Sequence, residues 1–330
     1  MKHTINTGEK LEKRQQLTAK LLSFMPPLHK LPPKVFRILF LIMDRLIGLE
    51  KTQLHQVVDY QISTTSGYGN PDHKLNARVY YPKPASGSDS TSNKSMVYFH
   101  GGGCVIGSIK THDHFCRFLA KYSETTIISV EYRLAPEHKF PIPVCDAIDA
   151  WNWINLNHKQ LNLNPNKIGV GGDSAGGYLA CIVGLTSLHN DLKVKSLYTP
   201  SFQFLIYPML NLQSDSESYN AFTKGLILTK DVMDYFTQHY VNTLDETSYP
   251  LVSPLQAQDI SNSPKTYLLT LGYDPLRDDG VSYVSRLKQV GIEVDHEHYD
   301  DCMHAFISVT KISKRAREAS LSIAAALSRI

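Results

Sequence analysis

Cysteine is scarce in this chain of 330 residues. There are five, Cys104, Cys116, Cys145, Cys181 and Cys302, odd in number, scattered, and without a Cys-x-x-Cys pair. Neither a disulfide framework nor a cysteine-type zinc site is expected. Reduced thiols in a cytoplasm are the simplest reading, with a single disulfide left open. Charge of one sign is also lacking: 34 Lys and Arg against 31 Asp and Glu leave a formal net charge of +3. No long basic run carries interleaved aromatics, so no nucleic-acid partner is expected. Long hydrophobic runs are missing too. The most apolar stretch, residues 38–43, is stopped by Asp44 and Arg45, far short of the ~20 apolar residues that a spanning helix needs. The chain opens polar, with Lys2, His3, Glu9, Lys10, Glu12, Lys13 and Arg14, and no apolar signal-peptide core follows directly. A cytoplasmic protein without stable membrane insertion is expected. Association of the apolar stretch with a membrane surface stays open as the rival to a helix that covers a pocket.

What is present fits a globular protein with a sizeable core: 42% of residues are hydrophobic and 20% charged. The first ~50 residues look helical, with prolines at 26–27 and 32–33 as punctuation. Val35, Ile38, Leu39, Ile42, Leu46 and Leu49 have helical spacing. Strands are expected at 54–62 and 75–81, followed by a Ser/Gly/Pro-rich turn at 82–94. From Met96 onward short apolar runs alternate with helical stretches. The runs lie at 96–99, 125–130, 167–170, 204–207, 266–271 and 292–298. Helical patterns fall at Val144 to Ile154, at 178–188, at Val281, Val284 and Leu287, and at Ala319, Ile323, Leu327 and Ile330. Such alternation means a mostly parallel sheet covered by helices on both faces. Residues 213–247 break the rhythm with a polar, aromatic, helix-like stretch, which reads as a lid insertion.

Two motifs carry chemistry. Gly172-Asp173-Ser174-Ala175-Gly176 follows a strand and opens a helix. Small residues around Ser174 let the backbone turn sharply, so the hydroxyl projects above the sheet, and the helix start aims N–H groups and a positive dipole end at the reacting oxygen. Taken alone, such a cluster also makes ordinary tight turns. His100-Gly101-Gly102-Gly103 directly follows the strand at 96–99. Three consecutive glycines give up backbone entropy, and close approach of bare amides to a developing oxyanion would justify it. Gly102, Gly103 and Ala175 would then supply three N–H donors. A flexible loop or a phosphate cradle is the alternative, but no Gly-Lys-Ser/Thr follows, so a nucleotide P-loop fails. His100 reads as a loop anchor rather than a base.

Together the two motifs resemble the hormone-sensitive-lipase-like family of α/β-hydrolases, the bacterial esterases in particular. Glu131-Tyr132-Arg133-Leu134-Ala135-Pro136-Glu137-His138, Tyr207-Pro208, Ser253-Pro254-Leu255, Tyr273-Asp274-Pro275-Leu276-Arg277-Asp278 and Met303-His304-Ala305-Phe306 extend the resemblance from Met96 to the C-terminus. It implies an α/β-hydrolase fold: an eight-stranded, mostly parallel sheet, a helical cap segment at 1–50, and a catalytic domain at 51–330 with a cap insertion at about 213–247. The nucleophile is expected at Ser174, the orienting carboxylate at Asp274, and the base at His304, in the chain order of this fold. Asp278 and Asp279 compete with Asp274, but they sit where the next helix should begin, and helix N-terminal charge explains them better. His296 and His298 share one strand face, yet no metal-ligand spacing supports a site there.

The sequence departs from the family pattern at Ala305, where glycine is usual, at Tyr178, where asparagine is common, and at Cys104, where an apolar or aromatic residue is common. The resemblance implies hydrolysis of short- to medium-chain carboxylic esters, with no metal or organic cofactor, by a monomer or homodimer. Lipase, lactonase and amidase activities would use the same groups. A non-catalytic small-molecule receptor of the same fold is the alternative from another class.

Overall fold

The short apolar runs become the strands of one eight-stranded sheet in a computed structural model, which describes residues 10–22, 27–65, 67–68, 73–83 and 94–330. Residues 2, 3, 9 and 26 and most of the Ser/Gly/Pro-rich turn, 84–93, lie outside the described residues. In chain order the strands are β1 (Gln56–Ser63), β2 (Lys74–Tyr81), β3 (Ser95–Phe99), β4 (Thr126–Glu131), β5 (Ile168–Asp173), β6 (Gln203–Ile206), β7 (Thr266–Tyr273) and β8 (Val294–Met303). Their spatial order is β1-β2-β4-β3-β5-β6-β7-β8. β2 runs antiparallel to both β1 and β4, and every other pair is parallel. The expected mostly parallel sheet is therefore found. Its central strands β3, β5 and β6 are buried along their whole length, as strands covered on both faces must be.

The helices are α1 (Lys13–Leu22), α2 (Pro33–Ile47), α3 (Ile109–Ser123), α4 (Ile142–Leu156), α5 (Ala175–Gly184), α6 (Glu217–Ala221), α7 (Lys230–Tyr240), α8 (Arg277–Gln289) and α9 (Lys314–Arg329). Two hydrophobic clusters hold them to the sheet. One joins Val144 and Trp151 of α4, Leu179 and Ile182 of α5 and Leu287 of α8 to β3 and β5. The other joins Phe115 and Leu119 of α3 to Ile323 and Leu327 of α9. α3 starts at a Ser108 cap with a reciprocal Thr111 bond. Phe115, Phe118 and Leu119 repeat at helical spacing, and His112, Asp113 and His114 share its buried surface. The stretch read as one helix at 178–188 is split: α5 ends at Gly184 and a 3-10 turn, Thr186–Asp191, follows.

The N-terminal helix α2 forms where the spacing places it but leaves much of that spaced set exposed. Val35, Ile38, Ile42 and Leu46 are 42%, 60%, 47% and 67% exposed. Phe36, Phe40 and Met43, on the opposite side of the helix, line a cavity instead. The helix is apolar on both sides, so spacing alone could not choose between them. What fixes its rotation is polar: Arg37 donates from Nε to Val105 O at 2.8 Å and from Nη2 to Ala135 O at 2.7 Å, and pairs with Glu137 at 2.7 Å. Residues 213–247 contain α6, α7 and the start of a 3-10 turn, Leu244–Ser248. α2 and α7 meet where Phe36 and Phe236 stack at 6.0 Å. Among the described residues no helix is long and apolar enough to cross a membrane.

Candidate active site

Ser174 sits in the sharp turn between β5 and α5 with φ 54° and ψ −116°, outside the comfortable regions for a side-chain-bearing residue. The turn is held by Ser174 N donating to Ile206 O at 2.9 Å and by Met209 N and Tyr178 N donating to Ser174 O. Glycine is needed at 176 because a Cβ there would overlap the Phe99 carbonyl of β3. The elbow can thus press against the neighbouring strand only with a bare backbone.

Asp274 follows β7 and His304 follows β8, so both lie at the same carboxyl-end rim of the sheet as Ser174. His304 Nε2 is 2.9 Å from Ser174 Oγ, and His304 Nδ1 is 2.7 Å from Asp274 Oδ2. Asp274 is buried, and its other oxygen accepts from Leu276 N at 2.8 Å. The Tyr207 ring packs 4.6 Å from the His304 ring. The competing carboxylates point elsewhere. Asp278 accepts from Ser218 N at 2.7 Å and from Arg277 Nε at 2.8 Å. Asp279 is buried, and burial pushes its carboxyl up to about 6.

The glycine loop turns beside the serine. Gly102 and Gly103 line the same cavity as Ser174 and His304, and Ala175 opens α5 behind Ser174. Gly103 has φ 60°, and a Cβ on it would run into the Phe236 ring of α7. His100 is packed between Tyr132 at 4.3 Å and His112 at 5.5 Å, with Nδ1 against Gly101 O at 2.9 Å. Burial drives its imidazole down to about 3, so it stays neutral. Sequence reasoning missed the carboxylate beneath this loop. Asp173 Oδ1 accepts from Tyr98 Oη at 2.5 Å and from Gly101 N at 2.9 Å, and lies 3.4 Å from His112 Nε2. The position of Asp173 inside the serine pentapeptide was a usable signal. His112, one of 14 histidines, offered none.

A cavity of about 80 Å³ opens onto Ser174. Phe36, Phe40 and Met43 of α2 form one wall, and Ile227, Leu228, Val232 and Phe236 form the other. Of Phe222, Tyr235, Phe236 and Tyr240 in this stretch, only Phe236 lines the cavity. Tyr235 donates to Leu31 O at 3.0 Å, Phe222 packs on Tyr273, and Tyr240 meets Tyr178 at 2.8 Å between hydroxyls. That last contact accounts for Tyr178, whose hydroxyl also donates to Leu251 O at 2.6 Å and ties α5 to the insertion. Ala305 adopts φ 59°, which is why glycine suits this position in relatives of the pattern. Cys104, at φ 58°, is fully buried, and burial raises its thiol pKa far above the usual range. His296 and His298 both bond Thr270 Oγ1, at 2.9 and 2.8 Å. Among the described residues no group of three or more His, Cys, Asp or Glu could hold a metal ion.

Comparison with known proteins agrees with this architecture. A family model described as alpha/beta hydrolase fold matches residues 96–308. An arylesterase of Saccharolobus solfataricus is 36% identical over 245 residues, 74% of this chain and 76% of that one. An ethyl acetate hydrolase of Pseudomonas putida is 31% identical over 302 residues, 91% of each chain. The solved structure of a hyperthermophilic esterase from Pyrobaculum calidifontis is 34% identical, with a TM-score of 0.83 and coverage of 97% of this chain and 98% of that one. With its motifs, its sheet order and these relatives in agreement, the chain belongs to the α/β-hydrolase fold family, in the hormone-sensitive-lipase-like branch.

Proposed function

We propose that this protein is a serine carboxylesterase that cleaves carboxylic esters of short to medium acyl length through an acyl-enzyme. The observation that carries the reading is the unbroken chain of contacts from Ser174 Oγ to His304 Nε2 at 2.9 Å and from His304 Nδ1 to Asp274 at 2.7 Å, at the wall of an apolar cavity. Ser174 Oγ attacks the ester carbonyl while His304 Nε2 takes its proton. Asp274 accepts from Nδ1–H, fixes the tautomer and stabilises the imidazolium. The N–H groups of Gly102, Gly103 and Ala175 receive the oxyanion. The alcohol leaves with the proton from His304. Water, deprotonated by the same imidazole, then attacks the acyl carbonyl and frees Ser174.

Two of the relatives carry names of ester hydrolases, which favours an ester over an amide or a lactone. The presence of the histidine with both its partners favours an enzyme over a receptor. Five buried, unpaired thiols suit a reducing compartment, which supports a cytoplasmic setting.

Hydrolysis of p-nitrophenyl acetate and butyrate tests the reading. Ser174→Ala should lose up to ~10⁶ in kcat, and an organophosphonate should label Ser174 in the wild type. Equal rates in the two proteins, or labelling of another residue, would end the assignment.

A further inference from the structure

We propose that His112 is a positioning residue that acts as a buried imidazolium, holding the Asp173 carboxylate in place and, through it, both halves of the oxyanion hole. The inference rests on the reading of Ser174, Gly102, Gly103 and Ala175 given above, and adds a group that does no chemistry on the substrate.

Asp173 joins the two segments. It immediately precedes Ser174, and its Oδ1 accepts from Gly101 N at 2.9 Å, at the head of the loop that carries Gly102 and Gly103. The same oxygen accepts from Tyr98 Oη at 2.5 Å. One carboxylate therefore sets the spacing between the glycine loop and the nucleophile turn. That carboxylate is 4% exposed, and a buried negative charge without a counter-charge costs several kcal/mol. Among the described residues its ion-pair partner is His112, with Nε2 3.4 Å from Oδ1.

The other side of the ring supports the charged form. His112 Nδ1 lies 2.9 Å from Thr111 Oγ1. That hydroxyl gives its proton to Ser108 O at 2.9 Å and already accepts from Ser108 N at 2.9 Å. With its proton on Ser108 O, this hydroxyl presents a lone pair to Nδ1, an arrangement that an Nδ1–H donor fits. Both ring nitrogens thus face acceptors, as only the doubly protonated ring requires.

The surroundings agree in sign. Negative groups face His112 from three elements: Asp173 at the end of β5, Asp44 of α2 and Glu131 of β4. Asp44 is buried with Oδ2 lacking a hydrogen-bond partner. On the helix of His112 itself, Asp113 and His114 are its neighbours, and Asp113 is occupied by Arg78 and Arg117. His100, stacked at 5.5 Å, is neutral, and Tyr98 packs at 6.4 Å as an un-ionised phenol. Burial is the largest single influence and opposes the charge on His112, but Asp173, Asp44 and the Ser108 backbone together outweigh it, and the imidazole is held above its ordinary range. The matching effect on Asp173 is that burial pushes its carboxyl up while His112 and the Tyr98 hydroxyl hold it below the usual range.

A histidine raised in this way contributes its stabilisation fully at pH values below its unfolded pKa and loses it as pH rises through the folded one. Alkaline loss of the His112 proton leaves Asp173 buried without a counter-charge, and the oxyanion donors drift. The wild type should show an alkaline limb in kcat. Long-range ¹H–¹⁵N spectra of the wild type should show both His112 nitrogens protonated at pH 7 and titration above the ordinary ~6.5. His112→Asn should lower kcat about 10- to 100-fold, as slight misplacement of reacting groups does, with KM little changed and the alkaline limb gone. In an Asp173→Asn background the same substitution should cost much less, because the charge it balances is absent. A singly protonated His112 in the spectra overturns the proposal even if the variants fail to fold. So does a His112→Asn enzyme with unchanged kcat and an intact alkaline limb. Neither result touches the esterase reading, which falls only with Ser174.

Discussion

Asp279 illustrates what one buried charge does to the pH response of the whole molecule. Its carboxyl is pushed up to about 6 by burial, with one oxygen lacking any partner, whereas an unfolded chain releases the proton near ~3.9. Between those values the folded state binds the extra proton. Stability therefore falls as pH rises through that window, by on the order of 3 kcal/mol from this group. Asp279→Asn should remove that fall. Urea titrations of wild type and variant at pH 4 and pH 7 should diverge in favour of the variant at pH 7, and parallel curves would refute the assignment.

At the same scale, the groups of the proposed triad can be picked out because each has a local signature. Ser174 sits in a five-residue motif, Asp274 follows an apolar run, and His304 follows the last one. His112 has no such mark. It becomes visible only when α3 is laid beside β5 and its Nε2 comes within 3.4 Å of Asp173. Asp44 is similar: in the sequence it merely ends an apolar run, and in the structure it is a buried carboxylate on a cap helix.

Among the elements, α2 owes part of its setting to one side chain. Arg37 reaches Val105 in the oxyanion loop and Ala135 and Glu137 in the segment after β4. The guanidinium holds the Glu137 carboxyl below its usual range through their hydrogen bond. Arg37→Ala should cost about 2 kcal/mol, the range for hydrogen bonds to charged groups, and should raise KM several-fold as the cavity wall loosens. Equilibrium unfolding and steady-state kinetics on one ester check both effects. A variant equal to wild type in both would show that apolar contacts alone seat the helix. The strands were legible because β-branched and aromatic runs bounded by turn residues have few other uses. α3 is less so, since three consecutive polar residues, His112, Asp113 and His114, occupy buried positions and leave the apolar stripe to Phe115, Phe118 and Leu119. The buried face of α2 cannot be read from spacing for the opposite reason, an excess of apolar residues.

Across the whole molecule, the sheet brings together groups that are 130 residues apart in the chain, as Ser174 and His304 are. The rims of β3, β5, β7 and β8 deliver the glycine loop, the serine, the aspartate and the histidine to one end. The pocket is assembled the same way, from α2 near the start of the chain and from residues 227–236 in the insertion. No local pattern could give its size. At about 80 Å³ it is small beside the ~300–1,000 Å³ of pockets that take drug-sized ligands. Specificity across p-nitrophenyl esters from C2 to C16 should therefore peak at acetyl to butyryl and decline for longer chains. A maximum at C10 or beyond, measured as kcat/KM, would require a larger enclosure than this one.

The two-sided character of α2 has a further consequence. With Phe36, Phe40 and Met43 turned inward and Val35, Ile38, Ile42 and Leu46 turned out, a roll of the helix about its long axis swaps one oily lining for another. The enclosure would change shape without changing its taste for hydrocarbon. Evolution could thus retune acyl preference by shifting where Arg37 is anchored, leaving every residue that touches the ester as it is.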